Sequence, residues 1–356
     1  LYIVNYYARD VQGHISLPRK SHVIHGGFEE KAIVISGGET NHPDGAVIDA
    51  MSMNVYDTLN WRLFGHDDIR FLNHQTNNPL VDGPPSTQAI FNALADFSGA
   101  DRLNIFLIGP TLSNRFYLGA GEFLDPEDLD GWLDAIQASH DIAINVIMDF
   151  RGSGSWLRGL QAPEDAERIV LASTRPNKPS FWFFGGEFSF MQFFMNHIFS
   201  GRSIGESFEH AERAIIDVTG GRIGLFNAGN VFRQEPRLDE TGDGGHDVNL
   251  HLAPFRYIGP AFVTADDPPL IGSIMPDADI TYTNEVILWV GDVMDVDGIS
   301  NVTCIVTPPS PLFGTNPLFE AEMTYNPSMN RYEFLYTNLL ATNRNHQVTF
   351  VAVDNN

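Results

Sequence analysis

The chain contains 356 residues, of which 43% are hydrophobic and 12% aromatic. At about 150 residues per domain, this length predicts two domains, or two and a fragment, each with an apolar core. The 45 Asp and Glu residues outnumber the 21 Lys and Arg residues, so the net charge is −24. Such a field repels nucleic-acid phosphates and anionic lipid but favours cations, so neither nucleic acid nor direct membrane insertion is expected.

No apolar run reaches the roughly 18 residues that span a bilayer. The chain begins at Leu1, with neither a Met nor a signal peptide, and we therefore expect a mature or excised segment. Its single cysteine, Cys304, excludes an intrachain disulfide. A lone free cysteine is commonly a small buried hydrophobe, and we expect that role for Cys304.

Strand and helix patterns alternate from residue 31 to about residue 217. Continuous apolar runs predict four buried strands: KAIVISGG (31–38), LNIFLIG (103–109), AINVIMDF (143–150) and RIVLAST (168–174). Helical periodicity predicts three helices: 47–65, 86–100 and 125–140. Asp125 is placed to cap the third helix, with Pro126 at its first position. This alternation predicts an α/β domain, a mostly parallel sheet covered by helices, over residues 31–262.

After residue 266 the pattern changes to short alternating strands. The sequences EVILWV, NVTCIVT, YEFLY and HQVTFVAV are separated by clusters of Pro, Gly and Asn. Strands of this length and spacing predict an all-β, immunoglobulin-like sandwich over residues 266–356. The DDPP sequence at 266–269 is a candidate hinge.

The two ends of the chain share a pattern. YIVNYYARD near the start and HQVTFVAVD near the finish both alternate aromatic and β-branched residues and then reach Ala-x-Asp. We interpret residues 1–20 as the terminal strand of a preceding β-sandwich, and the final sandwich as one that lacks its corresponding strand. The chain is then one period of a longer repeat. Two unrelated edge strands are the alternative, because such patterns recur by chance.

In an open parallel sheet the binding crevice lies outside the carboxyl ends of the strands. Two loops of the predicted domain leave such ends: IGPTLSNRFYLG after the strand at 103–109, and DFRGSGSW after the strand at 143–150. A base on the first loop and a nucleophile on the second would make a hydrolase.

Several motifs, in one order, resemble the caspase-like cysteine peptidases of the legumain type, in their bacterial form. The motifs lie within about residues 31–260: KAIVISGG, NIFLIG, FYLGAGEFLDPEDLDGWLDAI, NVIMDFRGSGSWLRGL, ERIVLAST and FSFMQFFMNHIFSGRSIGESFEHA. The resemblance implies a Cys–His dyad at the two loops. It places the histidine in an Asp-His-Gly sequence and the cysteine in an Asp-x-Cys-x-Ser-Gly-Ser sequence.

The chain departs from that pattern at both dyad positions. Pro110 stands where the resemblance places the histidine, and Arg151 stands where it places the cysteine. Proline cannot accept a proton, and arginine stays charged at any accessible pH, so neither performs the dyad chemistry. Asp149, Ser153 and Ser155 remain around the gap. These substitutions predict a pseudoenzyme with a degenerate site.

Substitute catalytic groups are few. A serine of the Ser-Gly-Ser turn could attack a substrate only with a base nearby, and the candidate bases are His140 and His197. We expect both histidines to cap or pack, because no triad spacing links them to the serines. For Arg151 we expect a salt bridge, with Asp149 as a candidate partner, and a bound anion is the alternative.

The segment LDETGDGGHDVNL (238–250) has the oxygen-bearing spacing of a calcium loop, with Gly244 at the sharp turn. It departs from that pattern at Leu250, where a bidentate Glu is expected. A polar turn without a cation is the alternative. The candidate calcium ligands are Asp239, Thr241, Asp243, Gly245 and Asp247.

A second acidic stretch, DVMDVDGISNV at 292–302, has the acid spacing for a cation, but an Asp-Gly hairpin turn explains it more simply. Asn301 within it begins a glycosylation sequon, which matters only in a secreted, glycosylating context.

These features predict a non-catalytic, extracellular or cell-surface module with a structural or interaction role, of a filament or adhesin-like kind. Its partners would be neighbouring copies or adjacent repeats, joined by β-strand completion. The alternative is a cysteine-peptidase-related hydrolase with a rewired active site. A binding module that retains the old cleft for a peptide is the third hypothesis.

Overall fold

The structure is a computed structural model that describes residues 2–6, 19–23, 28–39, 41–219, 233–260, 269–276, 278, 285–295, 298–307, 319–337 and 346–354. Two compact units are present. The first contains the described residues up to 217 and those from 233 to 260, and the second contains residues 218 and 219 and those from 269 to 354. Within these ranges, no helix has the length and apolar character needed to cross a membrane.

The first unit begins with a two-stranded antiparallel sheet. Strand β1, Tyr2–Tyr6, pairs with β2, Arg19–Val23, and Tyr6 lies opposite Arg19. The second of these strands crosses residue 20, the predicted end of the terminal strand of a preceding sandwich. The assignment of residues 1–20 to a preceding domain stays a prediction.

A six-stranded sheet lies at the centre of the first unit. The strands in this part of the chain are β3 (Glu30–Ser36), β4 (Ile69–Leu72), β5 (Arg102–Ile108), β6 (Thr111–Leu112), β7 (Arg115–Gly119), β8 (Glu122–Leu124), β9 (Ala143–Asp149), β10 (Arg168–Ala172) and β11 (Arg237–Asp239). The central sheet has the order β11-β10-β9-β5-β3-β4, and every neighbouring pair is parallel except β10 with β11. Strands β6, β7 and β8 form a small antiparallel sheet. The predicted mostly parallel sheet is confirmed.

Helices cover both faces of the central sheet. They are α1 (Gly45–Trp61), α2 (Thr87–Asp96), α3 (Pro126–Gln137), α4 (Phe190–Phe199) and α5 (Ile204–Thr219). Helices α1, α4 and α5 pack on one face and α2 and α3 on the other. Along β3, Val34 joins the first core, whereas Ile33 and Ile35 join the second. Because both faces are buried, the strand is a continuous apolar run rather than an alternating one.

The three predicted helices are α1, α2 and α3. Asp125 is at the N-cap position of α3 and Pro126 is its first residue, as expected, but the Asp125 side chain caps no amide. Its carboxylate instead accepts a bond of 2.6 Å from Nε of Arg115 on β7. The ion pair therefore connects the small sheet to the start of the helix, and its exposure to solvent makes it a weak contribution to stability.

From residue 269 onward, the regular secondary structure of the described residues in the second unit is all strand. These strands are β12 (Leu270–Ile274), β13 (Val286–Met294), β14 (Ile299–Thr307), β15 (Phe319–Glu322), β16 (Thr324–Asn326), β17 (Arg331–Tyr336) and β18 (Gln347–Asp354). They form two antiparallel sheets, β12-β13-β17-β16 and β15-β14-β18. Leu288 and Val290 of the first sheet share one apolar cluster with Val302 and Cys304 of the second. The antiparallel sheets and their shared apolar cluster agree in part with the predicted sandwich, and its immunoglobulin-like class stays a prediction.

Cys304 is fully buried in that core, as the sequence predicts. Burial raises the pKa of its thiol to about 11. The thiolate is therefore scarce at neutral pH, and Cys304 serves as an apolar packing residue.

The predicted Asp-Gly hairpin is wrong. Strands β13 and β14, which flank residues 295–298, belong to different sheets and do not pair. The segment between them is a connection from one sheet to the other. A turn sequence shows where a strand ends, but whether the next strand pairs or changes sheet depends on packing farther away. The predicted hinge at 266–269 lies outside the described residues except for Pro269.

Candidate functional site

Two loops meet at the carboxyl edge of the central sheet. Strands β5 and β9 are parallel neighbours, so the loops that follow them leave the same edge. Thr111 Oγ1 donates a hydrogen bond of 3.2 Å to the Arg151 carbonyl oxygen. The structure therefore brings the loop of Pro110 into contact with the loop of Arg151, the two positions that the sequence assigns to one degenerate site.

The ends of β3 and β5 approach each other as closely as glycine allows. A Cβ atom on Gly37 would lie 2.6 Å from the Tyr117 carbonyl oxygen, and one on Gly109 would lie 2.9 Å from the Gly37 Cα atom. The ring of Pro110 packs against the neighbouring Gly38, 3.2 Å from where a Cβ atom would stand. Pro110 thus fills a crowded corner of the edge with an inert ring.

Asp149, at the end of β9, connects several segments at the carboxyl edge of the central sheet. Its side chain is fully buried and accepts hydrogen bonds from Ser180 Oγ at 2.5 Å, Trp182 Nε1 at 3.1 Å and the Met191 amide at 3.0 Å. Burial raises the pKa of Asp149, while these donors act in the opposite direction. The carboxylate ties the loop after β10 and the first turn of α4 to the end of β9.

The expected salt bridge between Arg151 and Asp149 is wrong. Asp149 is buried with both oxygens bound by other donors, whereas Arg151 is exposed. Two residues apart in a strand share a face only while the strand continues. Strand β9 ends at Asp149, and Gly152 then adopts a left-handed φ of +74°. The chain turns, and the arginine points away from its expected partner.

The Ser-Gly-Ser turn is packed into the protein. Ser153 is fully buried and its Oγ accepts a bond of 3.3 Å from the Thr174 amide, while Ser155 Oγ donates to the Gly152 carbonyl at 2.8 Å. A Cβ atom on Gly154 would lie 2.6 Å from the Thr174 carbonyl oxygen. The glycine is therefore required for contact with β10, and both serine hydroxyls are used inside the fold.

Neither candidate histidine pairs with these serines. His140 is exposed and precedes β9, so the length of that strand, about 20 Å, separates it from the turn. His197 on α4 stacks on His210 with ring centroids 3.6 Å apart. Within the described ranges, neither Ser153 nor Ser155 hydrogen-bonds to an imidazole.

A polar cluster beside Pro110 is absent from the sequence-based expectations. Glu39 follows β3 and accepts hydrogen bonds from Tyr117 Oη at 2.5 Å and from the amide of residue 120 at 3.0 Å. The Tyr117 bond holds the pKa of Glu39 below its usual value, and the nearby His74 and His42 contribute in the same direction. His74 Nε2 donates to a carbonyl of β7 at 2.7 Å. In the sequence, the polar residues that directly follow the Gly-Gly pair after β3 could have indicated this cluster.

The groups of the cluster are a carboxylate, a phenol and imidazoles, which accept or donate protons. Nucleophilic catalysis of the Ser–His or Cys–His kind also requires a serine hydroxyl or a cysteine thiol within hydrogen-bond reach of such a base. In the part of the chain described, the cluster makes no such contact with Ser153 or Ser155.

The acidic loop gathers three carboxylates. Ligand atoms of Asp239, Asp243 and Asp247 lie within 4.8 Å of one another. Asp239 is almost fully buried and accepts bonds of 2.7 Å from the amides of residues 242 and 244. Burial, and then the charges of Asp247 and Asp243, raise the pKa of Asp239. A divalent cation would relieve this repulsion.

The remaining loop positions support the carboxylates. Thr241 donates from its hydroxyl to Asp247 Oδ1 at 3.1 Å, and the Gly245 amide donates to Asp243 Oδ1 at 2.6 Å. Gly244 has a φ of +73°, and a Cβ atom there would lie 2.5 Å from a side-chain carbon of Arg158. The donor set suits a hard cation, while the internal hydrogen bonds also suit a polar turn.

Comparison with known proteins finds similarity among solved structures only. A scan of protein-family models finds no match, and a search of curated proteins finds none. Among solved structures, the chain is similar to the crystal structure of caspase-1 from Spodoptera frugiperda, with a TM-score of 0.41 and 14% sequence identity. The match covers 65% of this chain and 100% of that one.

Proposed function

We propose that the protein is a non-catalytic, caspase-like pseudopeptidase of the legumain type that serves as an extracellular structural or interaction module. The observation that carries this proposal is the contact between two loops that present Pro110 and Arg151 at the carboxyl edge. Neither side chain can act as the base or the nucleophile of a Cys–His peptidase.

The surrounding geometry supports the same proposal. The two serines next to Arg151 are bound to backbone groups, and Asp149 works as a buried structural clamp. At the carboxyl edge of the central sheet, the close glycine contacts and internal hydrogen bonds maintain the fold and do not depend on a reactive group. The strongly acidic composition is consistent with a surface exposed to solvent. An immunoglobulin-like second unit is consistent with a protein built from repeated domains.

We also propose calcium as the cation of the acidic loop, held by Asp239, Asp243 and Asp247. Three carboxylates in one turn are the oxygen ligands that calcium prefers, and bound calcium would stiffen the loop. The functional role of this site would be structural, since the loop follows β11 at the edge strand of the central sheet.

A rewired hydrolase is the competing function, and covalent labelling separates the two. The full chain is incubated with a fluorophosphonate probe, which reacts with activated serines, and its intact mass is measured. Our proposal predicts no adduct. An adduct that disappears in Ser153→Ala or Ser155→Ala would establish an activated serine and contradict the proposal. Saturable binding of an unreactive peptide, abolished by Glu39→Gln, would instead favour the retained-cleft binding module.

A further inference from the structure

One edge of strand β18, called its bare edge, has no paired strand among the residues that the structure describes. The other edge of β18 pairs with β14. Its core-facing residues Val348, Phe350 and Ala352 are only partly buried, whereas Val302 and Cys304, in the middle of the sheet, are fully buried. An edge strand with half-covered apolar side chains is a template for a further strand.

The chain contains a second strand of the same pattern, and that strand has a partner. Aligning the Ala-x-Asp of residues 8–10 with that of residues 352–354 places Tyr6 at Phe350 and Asn5 at Thr349. In β1, Tyr6 lies opposite Arg19 of β2, and the next pair follows in antiparallel order. Because β18 matches β1 in pattern, β2 is a candidate partner for the bare edge of β18, and the pairing of β1 with β2 gives the expected register.

Charge favours this strand. Strand β2 reads RKSHV and carries two cations and no acid, while residues 264–356 contain twelve Asp and Glu residues against two Arg. An antiparallel strand that enters this acidic field gains attraction that is screened by salt. The two-stranded sheet of β1 and β2 is also a weak competitor, because an isolated pair of strands is marginally stable in water.

We propose that the bare edge of β18 binds strand Arg19–Val23 of a second copy of this chain in place of that copy's β1. The added strand runs antiparallel, with Arg19 opposite Phe350 and Lys20 opposite Thr349, and completes a four-stranded sheet β15-β14-β18-β2. This inference rests on the proposed interaction function and names its partner. The main-chain hydrogen bonds of the added strand provide affinity, and the cations of β2 provide selectivity for the acidic second unit.

A labelled peptide of residues 13–24, GHISLPRKSHVI, tests the proposal by fluorescence anisotropy with the full chain. Saturable binding is expected, and a scrambled peptide of equal charge should bind at least tenfold more weakly. Peptides with Ser21→Pro and with His22→Pro form a matched pair that keeps both Arg19 and Lys20, because successive amides of a strand point to opposite edges. One proline should weaken binding at least tenfold more than the other. Equal binding of the scrambled peptide, or no binding, overturns the proposal.

The register is tested by disulfide trapping. Residues directly opposite in antiparallel strands have Cβ atoms about 5 Å apart, within reach of a disulfide. Thr349→Cys should form a disulfide with peptide Lys20→Cys faster than with peptide Ser21→Cys, and Cys304 stays out of reach because it is fully buried. Faster trapping with the Ser21→Cys peptide overturns the register. If the peptide does not bind and the fluorophosphonate probe forms no adduct, strand Arg19–Val23 is excluded as the partner, while the proposed non-catalytic function is retained.

Discussion

The stacked histidines between α4 and α5 give the first unit a calculable sensitivity to acid. Burial lowers the pKa of His197 from 6.5 to about 4, and the neighbouring His210 and Arg202 contribute to the shift. Because the folded state binds this proton less readily than the unfolded state, the stabilisation is complete above pH 6.5 and is lost as the pH falls toward 4. The His210 pKa is also lowered, chiefly by burial.

The size of the effect follows from linkage. Between about pH 7.5 and pH 5, the His197 shift corresponds to a loss of about 2 kcal/mol in the free energy of unfolding. His197 is partly exposed, so solvent screening reduces the expected loss to about 1 kcal/mol. His197→Phe should remove this part of the pH dependence. A phenyl ring can maintain the stack, and the buried Nδ1 atom has no hydrogen-bond partner to lose.

Urea unfolding measured by tryptophan fluorescence checks this prediction. Trp289→Phe in the background removes the single tryptophan of the second unit, so the emission reports the first unit alone. The parent chain with the same Trp289→Phe change is the matched control. An identical loss between pH 7.5 and pH 5 in His197→Phe and the parent would refute the reasoning.

Three further predictions concern a buried ion pair, the acidic loop and the degenerate dyad. Arg168→Met should lower the free energy of unfolding by about 3 kcal/mol, because the fully buried guanidinium binds Asp130 at 2.7 Å and Asp134 at 2.8 Å. The exposed pair of Arg213 with Glu209 supplies the control. Arg213→Met should change the free energy of unfolding by less than about 0.5 kcal/mol. Calcium should raise the melting temperature of the parent chain and not that of Asp243→Asn, measured by calorimetry; an equal rise in both would exclude the loop as the site. The double variant Pro110→His with Arg151→Cys should react with iodoacetamide faster than Arg151→Cys alone, because the two loops touch and an imidazole promotes the thiolate; equal rates would show that the loops do not form a dyad site.

The central sheet was predictable because burial on both faces leaves a signature that extends over whole strands. Strands β3, β5, β9 and β10 each contain a largely apolar buried run, which is interrupted by Asn104 in β5 and by Asn145 in β9. Strands β4 and β11 escaped prediction, because four and three residues are too few to show a period.

The candidate site was predictable in place but not in contacts. Parallel strands bring their carboxyl ends together, so the meeting of the Pro110 and Arg151 loops follows from strand order. The direction of the Arg151 side chain depends on the left-handed turn at Gly152. The cluster of Glu39, Tyr117 and His74 joins residues far apart in sequence, so only the fold reveals it.

Hydrolysis measured directly provides the sharpest test of the non-catalytic function. The full chain, with and without calcium, is incubated with a diverse peptide library, and products are detected by mass spectrometry. The account predicts no cleavage above the buffer control. Cleavage that is lost in Ser153→Ala or Ser155→Ala, with the fold retained, would contradict it and establish a rewired hydrolase.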